Sequence, residues 1–122
     1  MTKERLALGK AGEDIALKKI KKLGYKCIER NYRCPLGEID IIATHKGCLV
    51  FIEIKTRKGR DPGYAKEAVN FRKRKQITKT ALYYMKENNC CDTKSRFDVV
   101  AVSINQGKAD IELIQDAFDQ AY

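Results

Sequence analysis

Apolar residues recur along this 122-residue chain at two spacings, and the switches between them lay out the elements. Over residues 3–23, Ala16, Ile20 and Leu23 fall at helical spacing, and Gly24 follows as a C-terminal cap. Glu13 precedes Ala16 by three positions and Ile20 by seven, so an acid sits on the stripe that should face the core. The pattern turns extended over residues 25–33, breaks at Cys34-Pro35-Leu36-Gly37, and resumes in two β-rich runs, 38–44 and 48–55, joined by a short turn at Lys46-Gly47. A polar, glycine-containing stretch after Arg57 leads into a helical pattern over 64–88, with Tyr64, Ala68, Phe71, Leu82 and Met85 near one face. Two further strands are expected over 97–104 and 111–114, about the turn Asn105-Gln106-Gly107-Lys108, while 115–122 reads as a short helix or a fraying end. Helix, three strands, helix, two strands predicts an α/β fold, a central mixed β-sheet flanked by helices.

The central pair of strands carries the chemistry. A hairpin turning symmetrically about Lys46-Gly47, with His45 facing Cys48, places Asp40 opposite Glu53 and Glu38 opposite Lys55. Carboxylates on opposed residues, with Cβ atoms roughly 5 Å apart, repel unless a positive charge stands between them. On the other face, Ile39, Ile41, Val50, Ile52 and Ile54 ask for a core. An ordinary solvated sheet face is the competing reading, but it leaves Ile42, Leu49 and Phe51, on the charged side, unexplained. Asp40 and Glu53 offer hard oxygen ligands suited to Mg²⁺ or Mn²⁺, which would lower the pKa of a water and neutralise charge on a pentavalent phosphorus. Lys55, two positions after Glu53 and on the same side, would orient that water or stabilise the transition state. Other schemes fare worse: the one histidine, His45, belongs at the hairpin tip, and no G-x-x-x-x-G-K-[ST] loop is present.

Composition narrows the partner. With 43% hydrophobic types in 122 residues there is material for one core, hence one domain over 1–122. No run approaches the roughly 20 apolar residues of a membrane span, and Met1-Thr2-Lys3-Glu4-Arg5 opens no signal segment, so a soluble, cytoplasmic protein without membrane partners is expected. Five cysteines without a C-x-x-C pair argue for reduced thiols. A net charge of +9 favours a polyanion.

The arrangement Asp40, twelve residues, Glu53-Ile54-Lys55 resembles the signature of the PD-(D/E)XK (restriction-endonuclease-like) nuclease superfamily, with Ile39 where the motif's proline would stand. With Glu13 it is similar to the active-site set of archaeal Holliday-junction resolvases, which implies that Glu13 completes the metal shell. Gly12-Glu13, Asn31-Tyr32-Arg33, Gly37-Glu38-Ile39-Asp40, the 51–57 run and Arg96-Phe97-Asp98-Val99-Val100 resemble the bacterial YraN-type family, assigned to the same superfamily. The resemblance implies a restriction-endonuclease-like fold and a helix facing substrate. On that helix Arg72, Lys73, Arg74, Lys75 and Gln76, together with Arg57 after the E-x-K strand, are the candidate nucleic-acid contacts. Glu38 is a candidate for orienting Lys55, and Asp98 stands between a structural and a site role. Tyr64, Tyr83 and Tyr84 could stack on bases, but their helical spacing favours packing.

Three functions remain in play. The first is an endonuclease using Mg²⁺ or Mn²⁺ on DNA, branched or structured DNA by likeness to the resolvases, with RNA as the alternative substrate. Junction cleavage would favour a homodimer. The second is a non-catalytic nucleic-acid-binding protein retaining the nuclease fold, and the third a protein-interaction adaptor with a basic surface.

Overall fold

The computed structural model describes residues 3–59 and 69–120, the side chain of Arg5 excepted. Its elements run α1 (Lys3–Lys22), β1 (Lys26–Cys34), β2 (Gly37–His45), β3 (Cys48–Lys58), α2 (Phe71–Glu87), β4 (Ser95–Asn105) and β5 (Lys108–Phe118). The expected order of elements is the observed one. α1 stops where the sequence puts its glycine: Gly24 takes φ +93°, and the Tyr25 N–H turns back to the Ile20 carbonyl at 3.0 Å. α2 opens on Asn70, whose side chain accepts the Lys73 N–H at 2.9 Å. The first part of the expected second helix, with Tyr64 and Ala68, lies outside the described residues.

The five strands form one mixed sheet in chain order, β1-β2-β3-β4-β5. Every neighbouring pair is antiparallel except β3 and β4, which run parallel. A parallel pair needs a crossover, and α2 lies in it. Helices therefore cover both faces of the sheet. Ala16, Leu17 and Ile20 of α1 pack with Ile41, Ala43, Val50, Ile52, Val100 and Val102. Ile77, Ala81, Tyr84 and Met85 of α2 pack with Ile42, Leu49, Phe51, Phe97 and Val99 on the other side. Strands buried on both faces read as continuous apolar runs. That accounts for Ile42, Leu49 and Phe51, which lie under α2.

Four expectations need correction. Leu23 and Phe71 are exposed, because the buried stripes run through Leu17 on α1 and through Ile77, Ala81 and Tyr84 on α2. Ile39 joins the cluster under α2 instead of sharing a face with Ile41. Between the two lies Asp40, whose side chain takes the Ile54 N–H at 2.7 Å, while β1 opposite keeps its register from Arg30↔Ile41 to Tyr32↔Ile39 with Asn31 at φ +53°. Finally, the chain beyond Gln115 is strand as far as Phe118, whose ring stacks on Phe97 at 4.9 Å. Among the described residues no helix is long and apolar enough to cross a membrane.

Candidate active site

The β2–β3 ladder has the register expected from the turn, running from His45↔Cys48 to Ile41↔Ile52. At the next position a side chain intervenes: Asp40 Oδ2 accepts the Ile54 N–H at 2.7 Å. β3 meanwhile stays paired with β4 through Lys58. The ladder therefore ends one step short of the expected Asp40–Glu53 pair, and the acids sit where β2 and β3 part.

Glu53 is buried, 7% exposed, and two ammonium groups, Lys55 Nζ and Lys73 Nζ, each lie 3.8 Å from its Oε1. Burial and then the Asp40 charge raise the Glu53 carboxyl to about 7, against the pull of Lys73 and Lys55. Burial likewise raises Asp40, which the Ile54 N–H holds down and the Glu13 charge pushes up further. Burial is thus the chief cause for both acids, and Asp40 adds to it at Glu53. Lys73 was expected to contact nucleic acid, and its place beside Glu53 was missed. Only the phase of α2 on the sheet reveals it, and that phase is set at Gly37. There a Cβ would lie 2.9 Å from Thr80 Oγ1 and 3.0 Å from Gln76 Nε2.

Glu13 approaches from α1. The helix comes close because position 12 is glycine: a Cβ there would overlap the Thr56 side chain of β3. Glu13 lines a cleft of about 650 Å³ together with Asp40 and Lys55. Its Oε1, however, accepts from Arg30 Nη2 at 3.0 Å, Arg30 Nε at 3.2 Å and Asn31 Nδ2 at 3.0 Å. Arg30 also holds Asp14 at 2.9 Å. Among the described residues no three acidic, histidine or cysteine side chains are grouped to hold one ion. Glu13 is therefore beside the pair of acids, turned to β1.

Glu38 does not face Lys55. It pairs with Arg33 of β1 at 3.1 Å, both well exposed, because β1 lies directly across from it in the Arg33↔Glu38 register. Arg57 is half-buried two positions beyond Lys55 on β3. On α2, Arg74 Nε donates to the Val69 carbonyl at 2.9 Å, and its guanidinium lies 5.4 Å from the centre of the Phe118 ring. Lys75 Nζ stands 5.8 Å over Phe71, while Arg72 and Gln76 are exposed. Tyr84 is core, edge-on to Tyr32 and Phe51, and Tyr83 packs half-buried beside it.

Asp98 belongs elsewhere. Fully buried on the α1 side, it accepts from the Tyr25 hydroxyl at 2.6 Å, Arg96 Nε at 3.0 Å and the Asp116 N–H at 2.9 Å. Arg96 Nη2 lies 2.7 Å from His45 Nδ1, and His45 stacks on Tyr25 at 4.1 Å. A guanidinium can only donate, so Nδ1 is the acceptor and the ring proton sits on Nε2. His45 is a buried member of this network, not a free turn residue.

The model of the uncharacterised protein family UPF0102 matches residues 12–102, a span that contains Glu13, Asp40, Glu53, Lys55 and Lys73. A UPF0102 protein of Syntrophotalea carbinolica is 44% identical over 119 residues, covering 98% of this chain and 97% of the relative. One from Clostridium botulinum is 49% identical over 114 residues, covering 91% and 93%. One from Caldicellulosiruptor saccharolyticus is 41% identical over 113 residues, covering 91% and 96%. Matched over most of its length by model and relatives alike, the chain belongs to the uncharacterised protein family UPF0102.

Proposed function

We propose that this protein is a Mg²⁺- or Mn²⁺-dependent nuclease that hydrolyses phosphodiester bonds in DNA. The observation that carries the reading is the buried Asp40 and Glu53 pair, with Glu53 raised to about 7 and two ammonium groups 3.8 Å away. The residues present fit a hard divalent ion, since Mg²⁺ is commonly held by one or two carboxylates and completes its shell with water and substrate phosphate oxygens. Such an ion, when bound, would activate water and offset charge on the reacting phosphorus. Asp40 and Glu53 would hold it, and Asp40 is oriented for this by the Ile54 N–H. Lys55, about one-third exposed, presents its ammonium at the cleft mouth, where it can hold a phosphate oxygen or the attacking water. Lys73 steadies the ionised Glu53 from the α2 side. The net charge of +9 supplies long-range attraction for a polyphosphate.

The test is incubation of duplex, single-stranded and four-way-junction DNA with Mg²⁺, Mn²⁺ or EDTA. Cleavage that needs the ion and falls by roughly 10²-fold or more in Asp40→Asn, Glu53→Gln and Lys55→Met is expected. Persistence of cutting in the carboxamide variants would remove the proposal. A second reading, binding without turnover, draws on Glu13, whose carboxylate is engaged by Arg30 and Asn31 instead of completing a ligand set. It requires salt-sensitive binding with no ion-dependent product.

A further inference from the structure

The cleft in front of Asp40 has two walls. One is the solvent-facing side of α1, with Leu6, Gly9 and Lys10, and the other is the edge strand β1, with Arg30 and Arg33. At about 650 Å³ it has the size of a pocket for a small organic ligand. A base-paired helix, whose major groove alone is roughly 12 Å wide, is too broad to enter such a space whole. Asp40 and Lys55 line the cleft as well, so a phosphate held by them lies between α1 and β1. Leu6, 58% exposed at one wall, offers apolar surface to a base or sugar. Lys10 is exposed on the same wall. Arg33 opposite is 79% exposed and pairs with Glu38, also at the cleft, in a solvent-exposed interaction of small net value that a phosphate can displace.

We propose that this cleft receives a single, unpaired nucleic-acid strand, with Lys10 and Arg33 on the phosphates flanking the one at Asp40 and Lys55, and Leu6 against a base. The inference rests on the nuclease reading for what happens at the middle phosphate, and on the cleft alone for which strand enters. It also shifts the expected contacts away from α2, where Arg74 and Lys73 are engaged internally, to α1 and β1.

Gly9 provides a steric test independent of charge, because a Cβ at that position meets nothing within 4 Å. Fluorescence anisotropy would compare a short single-stranded DNA, the same sequence in RNA, and the blunt DNA duplex, in Ca²⁺ and with each probe recovered intact. The expected result is single-strand affinity at least about tenfold above that for duplex, with the two sugars setting which nucleic acid is preferred. Gly9→Trp should weaken single-strand binding by about tenfold, while Gly9→Ala leaves it unchanged and helical circular dichroism confirms that both fold. Lys10→Ala combined with Arg33→Ala should lower the slope of log affinity against log salt by about 1.4, two contacts at roughly 0.7 each. Equal affinity for duplex, or a Gly9→Trp protein that binds the strand as well as the parent, overturns the proposal. Because binding is read without turnover, strand binding in a protein that cuts nothing removes hydrolysis and keeps the cleft. Cutting of duplex by a protein indifferent to Gly9→Trp does the reverse.

Discussion

Glu53 and Asp98 lie on neighbouring parallel strands, one residue out of step, since Glu53 is level with Val99 and Asp98 with Ile52. Both are buried. Their surroundings are opposite in kind. Asp98 meets a phenol, a guanidinium and a backbone N–H, all within 3.0 Å, so its charge is matched on the spot. Burial works against the charge on Arg96, but the bonds to Asp98 and Tyr25 outweigh it and raise its pKa. Glu53 has ammonium groups at 3.8 Å and a second acid beside it. One sheet therefore carries an acid with close hydrogen-bond donors built in and an acid whose burial favours its protonated form. The first fastens the chain after α1, the hairpin tip and β5 to β4; in the proposed function the second takes up a divalent ion.

The contrast can be broken first at its structural pole. Asp98→Ala leaves the Arg96 guanidinium, whose side chain is 16% exposed, without its anion, and should lower stability by about 3–5 kcal/mol in urea denaturation. Asp40→Asn should cost less than about 1 kcal/mol by the same measurement, and equal losses would dissolve the distinction.

The next effect concerns pH. The folded pKa of Glu53, about 7, lies above its ordinary value of 4.5, so the fold favours the protonated acid. The stability this confers is complete below pH 4.5 and is lost as pH rises through 7. Without metal, the parent should weaken by up to about 3 kcal/mol across that window relative to Glu53→Gln, at about 1.4 kcal/mol per pKa unit. Parallel stability curves for the two proteins would show that Glu53 is not strained.

A divalent ion should then restore at pH 8 what ionisation removes. At one hundred times its dissociation constant, Mn²⁺ should add about 2.7 kcal/mol to the parent and nothing to Glu53→Gln, followed as a thermal shift. The smallest effect is at Tyr25: Tyr25→Phe deletes one donor to Asp98 while Arg96 and the Asp116 N–H remain, and should cost about 1–2 kcal/mol.

Local signals made much of this legible in advance. The turn at Lys46-Gly47 sets the hairpin register as far as Ile41↔Ile52, the pair just before Asp40 and Glu53. Gly24 marked the end of α1, and the spacing of Ala16 and Ile20 marked its buried side. What escaped the sequence depended on contacts between elements. Glu38 faces Arg33 because β1 is closer to it than β3 is, and no periodicity states which neighbour a strand end keeps. Lys73 reaches Glu53 through the rotation of α2 about its axis, fixed at Gly37. The network of Tyr25, His45, Arg96 and Asp98 draws on β2, β4 and the chain just after α1, far apart in sequence. Gly12 and Glu13 read as a motif, and the close approach of α1 to Thr56 gives the glycine its reason.

The account stands most directly on calorimetric titration of Mn²⁺ into the protein at pH 7, beside Asp40→Asn and Glu53→Gln. It predicts saturable binding that both substitutions abolish, with protons released to the buffer because Glu53, near its pKa of about 7, must ionise to bind the ion. Binding that survives both substitutions, or none in the parent, would contradict it.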